Sequence, residues 1–407
     1  MPNDRTFVGF GFGPIQSALF VLEAWQSTNF DRFVVCEVDR DLVQAVRENG
    51  GGYTVNLARP DGIDQVTVGQ VEIYNPLDFQ DRHRLVEAIC NSNEIATALP
   101  SVELYGRGGE TSVASILAEG LTKQPHPTII YAAENHNHAA ENLSAAVEQQ
   151  AGRPIQEVQF LNTVIGKMSG VIDDRTTIEQ LDLAPLTPDM PRAVLVEEFN
   201  HILISRIVLD QFKRGINVFV EKENLLPFEE SKLYGHNAIH ALIGYLAHRR
   251  GLLSMHEVAE QTDIMETARV AFLDESGASL VQKYGALNDP LFTPKGYRVY
   301  VQDLLQRMVN PYLHDLVDRV IRDPRRKLGY NDRFFGAMHL ALQHGIEPRQ
   351  LARGAAAAAQ HLLESKKQHP DLASVQQCLR ELWGPASDAQ TDLLIQLTCE
   401  VLKADIT

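Results

Sequence analysis

Lys232, Asn237 and His240 lie in the spacing K-x4-N-x2-H within SKLYGHNAIHALIG, residues 231–244. On a regular α-helix, at roughly 100° per residue, Asn237 and His240 fall about 140° and 80° around the axis from Lys232, so all three can face one cleft. Together an amine, a carboxamide and an imidazole offer a base, a hydrogen-bond donor and an orienting group. An amine sheds its proton near neutral pH only where desolvation or neighbouring positive charge lowers its pKa, and that tuning suits a general base for alcohol oxidation. The same residues on a solvent-facing helix are ordinary polar groups, so the rest of the chain has to decide between the two readings.

A second constellation sits near the N-terminus. The run Thr6 to Phe10 leads into Gly11-Phe12-Gly13-Pro14-Ile15-Gln16 and then a helical pattern from Ser17 to Ala24, the strand, turn and helix order of a dinucleotide-binding fingerprint. Gly11 and Gly13 let the backbone approach a pyrophosphate, whose charge the free N–H groups and helix dipole of the following turn favour; Phe12, Pro14 and Ile15 complete that turn. Gln16 stands at the third glycine position, where helix and strand usually pack closely. Glu37, at the end of the next apparent strand, is placed to accept hydrogen bonds from adenosine ribose hydroxyls, and its charge opposes a 2′-phosphate. NAD is therefore expected over NADP, although Arg40 nearby leaves NADP open.

Both sets of residues need a scaffold, and 407 residues with 44% hydrophobic content are enough for two domains. From Arg5 to about residue 162 short β-branched or aromatic runs alternate with helical patterns, including apparent strands at 6–10, 32–37, 128–132 and 157–161. Further strand-like runs occupy 194–199 and 218–220, while periodic apolar residues and the run Ala355 to Ala359 dominate after Pro227. The expected architecture is an α/β Rossmann-type domain with a mostly parallel sheet, residues 1–195, followed by a mainly α-helical domain, residues 196–407.

Composition excludes several classes. A formal charge of -16 without a basic stripe argues against nucleic-acid and anionic-membrane partners. Cys36, Cys90, Cys378 and Cys399 are too scattered for a C-x2-C metal site and read as reduced thiols. The first residues lack the basic and apolar runs of a secretory leader, and no window approaches a membrane span, so a cytoplasmic protein is expected.

Six segments together resemble the polyol-specific long-chain dehydrogenases: FVGFGFGPIQ, IIYAAENHNHAAENL, FLNTVIGKMSGVI, LVEEFNHILI, ESKLYGHNAIHALIGYL and NPYLHDLVDRVIRDPRRKLGYNDR. The resemblance covers nearly the whole chain, and the K-x4-N-x2-H helix is its most specific part. It implies an NAD-linked hydride transfer without a catalytic metal, in a cleft between the two domains. Lys232 would be the general acid/base, Asn237 and Asn162 oxyanion-type donors and His240 the residue that orients the substrate. Asn135 would contact the nicotinamide ribose. Arg319 and Lys327 match the family's substrate contacts; with Arg322, Arg325, Arg326 and Arg333 they form a basic cluster in an acidic chain, suited to a phosphate dianion. The substrate expected is a sugar or polyol phosphate, with D-mannitol 1-phosphate and NAD converted to fructose 6-phosphate and NADH. The family includes monomers, and a monomer or weak homodimer is expected.

The chain also departs from the family pattern. Gly166 and Lys167 replace an Asp-Arg pair, the loop ATALPSVELYGRGGE lacks the usual Gly-Pro turn, and Ile202 replaces an aromatic residue. Three other readings compete: a dehydrogenase of an unphosphorylated polyol or hexuronate, a silent NAD(H)-binding sensor, and a metal hydrolase using His236 and His240. The last lacks the glutamate of H-E-x-x-H.

Overall fold

The computed structural model of the protein describes residues 5–124, 126–384 and 389–406. The chain forms two compact units, Met1–Leu226 and Pro227–Thr407. Among the described residues the first unit holds twelve strands: β1 (Thr6–Phe10), β2 (Arg32–Cys36), β3 (Tyr53–Ala58), β4 (Ile63–Val68), β5 (Val71–Tyr74), β6 (Ser92–Thr97), β7 (Thr128–Ala132), β8 (Val158–Val164), β9 (Ser169–Ile172), β10 (Ala193–Glu197), β11 (Leu203–Ser205) and β12 (Val220–Lys222). The division falls after Leu226 instead of near residue 195. The cause is β11 and β12: β11 pairs antiparallel with β8 and parallel with β12, which keeps this stretch in the large sheet.

That sheet has the order β12-β11-β8-β7-β6-β1-β2-β5. Its six strands from β8 to β5 are all parallel. Starting at β1, the chain adds strands on one side, then returns to add β6, β7 and β8 on the other, which is the doubly wound Rossmann order with its switch point between β1 and β6. Every residue of β1 and β7 is buried, as a parallel sheet covered on both faces requires. Phe7, Phe33, Tyr131 and Leu161 pack into the core on one face, and Val8, Phe10, Val34 and Ile130 into the core on the other. A smaller sheet, β4-β3-β10-β9, was only partly visible in the sequence. Its inner residue Asn56 is fully buried and bonds the carbonyls of Ala184 and Val194 at 2.9 and 3.0 Å.

The second unit is helical, as expected. Among its described residues there is no strand, only a single bridge between Ser254 and Leu316. The helix Arg349–Ser365 packs against the helices Ala238–Arg249 and Ala389–Ile406, and Ala355 to Ala359 are all buried along it. Small side chains in that run let the axes approach closely. No helix among the described residues is long and apolar enough to cross a membrane.

Candidate active site

In the first unit the glycine-rich turn lies at the carboxyl end of β1, beside the switch point. Gly11 has φ +80°, and a Cβ there would meet the Ala98 carbonyl oxygen at 3.0 Å, so the position needs glycine on two counts. Its N–H donates to the Cys36 carbonyl at 2.8 Å, tying the turn to the end of β2. Gly13 is exposed, with open space where a Cβ would be, and the helix starts at Pro14 with Ile15 half-buried behind it. Glu37 sits beneath the turn and accepts from the N–H groups of Phe12, Val38 and Asp39 at 2.7, 2.6 and 2.9 Å. Phe12 thus offers backbone here, since its ring is buried against Tyr53 with centroids 4.9 Å apart.

Gln16 is accommodated by an exchange. Its fully buried side chain fills the space over Gly9, where an added Cβ would lie 2.2 Å from Gln16 Nε2. The missing third glycine is in effect moved to Gly9 in β1. Locally the helix widens into a π-turn over Gln16–Val21 before the α-helix Leu22–Ser27, where an α-helix from 17 to 24 was expected. An open glycine turn, a helix N-terminus and a carboxylate at the end of β2 together fit a dinucleotide.

Asn135 is exposed directly after β7. The preceding Glu134 is buried and accepts from Thr97 Oγ1 at 3.0 Å, from the Leu99 N–H at 2.9 Å and from the Tyr105 hydroxyl. It pins the divergent loop after β6 onto the end of β7, and burial raises its carboxyl pKa. This residue was not singled out from the sequence, where the only signal was an acid directly after an apolar strand. Asn162 lies half-buried in β8. Its Oδ1 accepts the Ala140 N–H at 2.9 Å, and one hydrogen of Nδ2 goes to Glu141 Oε2 at 2.9 Å, leaving the second hydrogen of that amide.

In the second unit Lys232 and Asn237 occupy a π-helix, Ser231–Asn237, that runs on into the α-helix Ala238–Arg249. A turn closed by i→i+5 hydrogen bonds stacks residue i over residue i+5. It therefore brings Asn237 nearer to Lys232 around the axis than an α-helix would, and His240 follows about one α-turn later. Gly235 allows this segment to press inward, for a Cβ there would meet the Phe272 ring at 2.7 Å.

Burial lowers the Lys232 pKa to about 8; the charge of Arg333 adds to the effect and Glu229 opposes it. His236 is buried and held well below the ordinary histidine range by desolvation, with the charges of His240, Arg307 and Lys232 acting the same way, so it is neutral. His240 turns elsewhere: its Nε2 lies 3.0 Å from Asp315 Oδ2, within ion-pair range. The same carboxylate accepts from Arg319 Nε at 2.7 Å. Burial pushes the Asp315 pKa up, but His240 and Arg319 outweigh it and hold the group well below the usual carboxylate range. Asp315 is thus the orienting partner of His240, a role its sequence position four residues before Arg319 did not disclose.

The basic cluster separates into three kinds of side chain. Arg319 is tied to Asp315; Arg322, Arg325 and Arg326 are exposed; Lys327 and Arg333 are buried, at 4% and 8% exposure. Arg322 donates from Nε to the Arg319 carbonyl at 3.3 Å. Lys327 donates to the Arg322 carbonyl, and its pKa is lowered to about 8 by burial and by the charges of Arg333 and Arg326. Arg333 acts on both Lys232 and Lys327 and is anchored by Asp332, with Nε to Oδ1 at 2.7 Å. In the sequence it was one of six cations, and nothing there marked it as the one whose charge reaches Lys232.

Residues 224–406 match the family model of the mannitol dehydrogenase C-terminal domain. The chain is 27% identical over 373 residues to a mannitol-1-phosphate 5-dehydrogenase of Halalkalibacterium halodurans, covering 91% of this chain and 92% of that one. It is 29% identical over 351 residues to one of Bacillus pumilus, covering 86% of each. Over residues 224–406 the chain is thus similar to the mannitol dehydrogenase family, and over most of its length to these two relatives. Its fold is also that of Pseudomonas fluorescens mannitol 2-dehydrogenase, solved with NAD and D-mannitol (TM-score 0.71, 15% identity, 98% of this chain and 91% of that one). A D-sorbitol dehydrogenase solved in substrate-free form gives a TM-score of 0.75 at 14% identity, over 99% of this chain and 96% of that one. Two departures from the family's sequence pattern have plain structural places. Lys167 is buried and donates to the Phe199 carbonyl at 2.9 Å, and Ile202 is a fully buried core residue.

Proposed function

We propose that this chain is an NAD-dependent dehydrogenase of a polyol phosphate, interconverting D-mannitol 1-phosphate and fructose 6-phosphate, with Lys232 as general acid/base. The observation that carries the reading is a half-buried lysine with a pKa lowered to about 8, in the π-helix that also holds Asn237 and runs on to His240. A base poised near the working pH combines a useful fraction of free amine with enough basicity to take a hydroxyl proton. Relatives named mannitol-1-phosphate 5-dehydrogenase support the substrate.

In the oxidation direction the neutral Lys232 amine takes the proton from the substrate hydroxyl, and the resulting ammonium stays beside the oxygen. NAD, when bound, supplies the hydride acceptor. Asn237 donates to the oxygen as it gains negative charge, and Asn162 is assigned the same part by family resemblance; such donors are worth most where charge develops. His240, held by Asp315, orients a substrate hydroxyl. Neutral His236 next to it adds no positive charge to compete with Lys232. In reduction the Lys232 ammonium returns its proton to the carbonyl oxygen. Gly11, Gly13, the start of the helix at Pro14 and Glu37 hold the dinucleotide. Arg319, Arg322 and Lys327 are assigned to the phosphorylated substrate, and a cationic Lys327 or Arg fork suits a phosphate dianion.

The test is NADH oxidation with fructose 6-phosphate, run beside fructose, free hexuronates and NADPH at equal concentrations. Strong activity with the phosphorylated ketose and NADH alone is expected. Equal or better turnover of an unphosphorylated sugar contradicts the phosphate assignment, and no turnover of any of them contradicts the enzyme reading.

A further inference from the structure

Two helical turns beyond His240, at the other end of the helix that continues from Lys232, a second histidine constellation lies outside all the chemistry above. His248 is in the last turn of the helix Ala238–Arg249, and His361 faces it from the helix Arg349–Ser365. Their rings meet edge to face, with centroids 4.7 Å apart and planes at 83°, and His361 Nδ1 lies 3.2 Å from His248 Nε2. Glu364 stands three residues after His361 on the same helix face. One of its carboxylate oxygens lies within 4.8 Å of a ring nitrogen of each histidine.

Two imidazole nitrogens bound to one tetrahedral ion at about 2.0–2.1 Å are about 3.3 Å apart, close to the spacing seen here. Both histidines are half-buried and Glu364 is exposed, so the group has a rigid floor and an entrance from solvent. Among the described residues this is the only group of three such side chains with ligand geometry.

We propose that His248, His361 and Glu364 form a binding site for a first-row transition-metal dication of the Zn2+ class, separate from the dehydrogenase chemistry. Two nitrogens and one carboxylate suit Zn2+, Co2+ or Ni2+ and leave a position for water, whereas Mg2+ and Ca2+ call for oxygen ligands. The ion clamps the helix that carries His240 to the helix Arg349–Ser365, and its effect is on the stability of that helix pair because it binds only where the two are packed.

The experiment uses the full chain, stripped with chelator and dialysed, titrated with ZnCl2 in a calorimeter and melted with and without the ion. Wild type should bind one equivalent at micromolar or lower concentration and melt several degrees higher with Zn2+. His361→Gln and Glu364→Gln should each weaken binding at least tenfold and abolish the melting shift. Glu364 is exposed, so its variant folds independently of any cost at His361. Absence of binding by wild type, or binding that survives both substitutions unchanged, for instance at the exposed pair His136 and His138, overturns the assignment.

Discussion

The two units build their sites from different materials. At the nucleotide turn the working groups are mostly backbone: a left-handed glycine, an exposed glycine, a helix N-terminus and one carboxylate held by three N–H groups. On the helix of the second unit they are side chains, and their chemistry depends on what burial does to charge. The Lys232 and Lys327 pKa values are both lowered to about 8, with Arg333 adding to the desolvation in each case. A backbone site fails when its geometry is obstructed. A site of desolvated charge fails when a proton is on the wrong side of its pKa.

This contrast sets the expected effects. Lys232→Ala should lower kcat by about 10²–10⁴ with an unchanged far-UV circular dichroism spectrum, because the loss is of proton transfer and not of fold. A fall below tenfold would remove the lysine from the mechanism. Asn237→Ala should cost about a hundredfold in kcat with a smaller change in KM, as expected of a donor that matters chiefly when charge develops on oxygen. On the backbone side, Gly9→Ala drives a methyl group into Gln16 and should lower stability by about 1–3 kcal/mol in a denaturant titration. Gln16→Ala added to it should recover most of that loss, and if the double variant is no better than the single one, the exchange between Gly9 and Gln16 is wrong. The smallest effect concerns Lys327. A lysine whose folded pKa lies below its unfolded value binds fewer protons when folded, so stability rises with pH between about 8 and the ordinary lysine range. Wild type should therefore gain on Lys327→Met as pH climbs through that window, and parallel stability curves would contradict it.

The legibility of the two sites in the sequence follows the same contrast. Glycine spacing after an apolar run, with an acid at the end of the next, marks local backbone geometry, so Gly11, Gly13 and Glu37 were readable from their order alone. The Rossmann alternation of strands and helices was readable for the same reason, because β1, β2, β5, β6 and β7 are each followed by a helix. What escaped depends on contacts between distant segments. The pairing of β11 and β12 moved the unit boundary, and β3, β4, β9 and β10 form a separate sheet that depends on β3 pairing with the distant β10. In the second unit the K-x4-N-x2-H spacing was visible. The π-turn that carries Lys232 and Asn237 was not, since no residue pattern marks i→i+5 bonds, and Gly235 within it packs closely on Phe272, a residue distant in sequence. Six cations from Arg319 to Arg333 looked alike in the sequence, and only burial separates Lys327 and Arg333 from the exposed arginines.

The central claim is that a desolvated Lys232 is the base, and the pH dependence of kcat/KM for polyol phosphate oxidation tests it most directly. Wild type should rise about tenfold per pH unit below a midpoint near 8 and level off above it, while reduction of fructose 6-phosphate falls above the same midpoint. A flat oxidation profile from pH 6 to about 10, or a midpoint near 8 that survives Lys232→Ala unchanged, would contradict the claim.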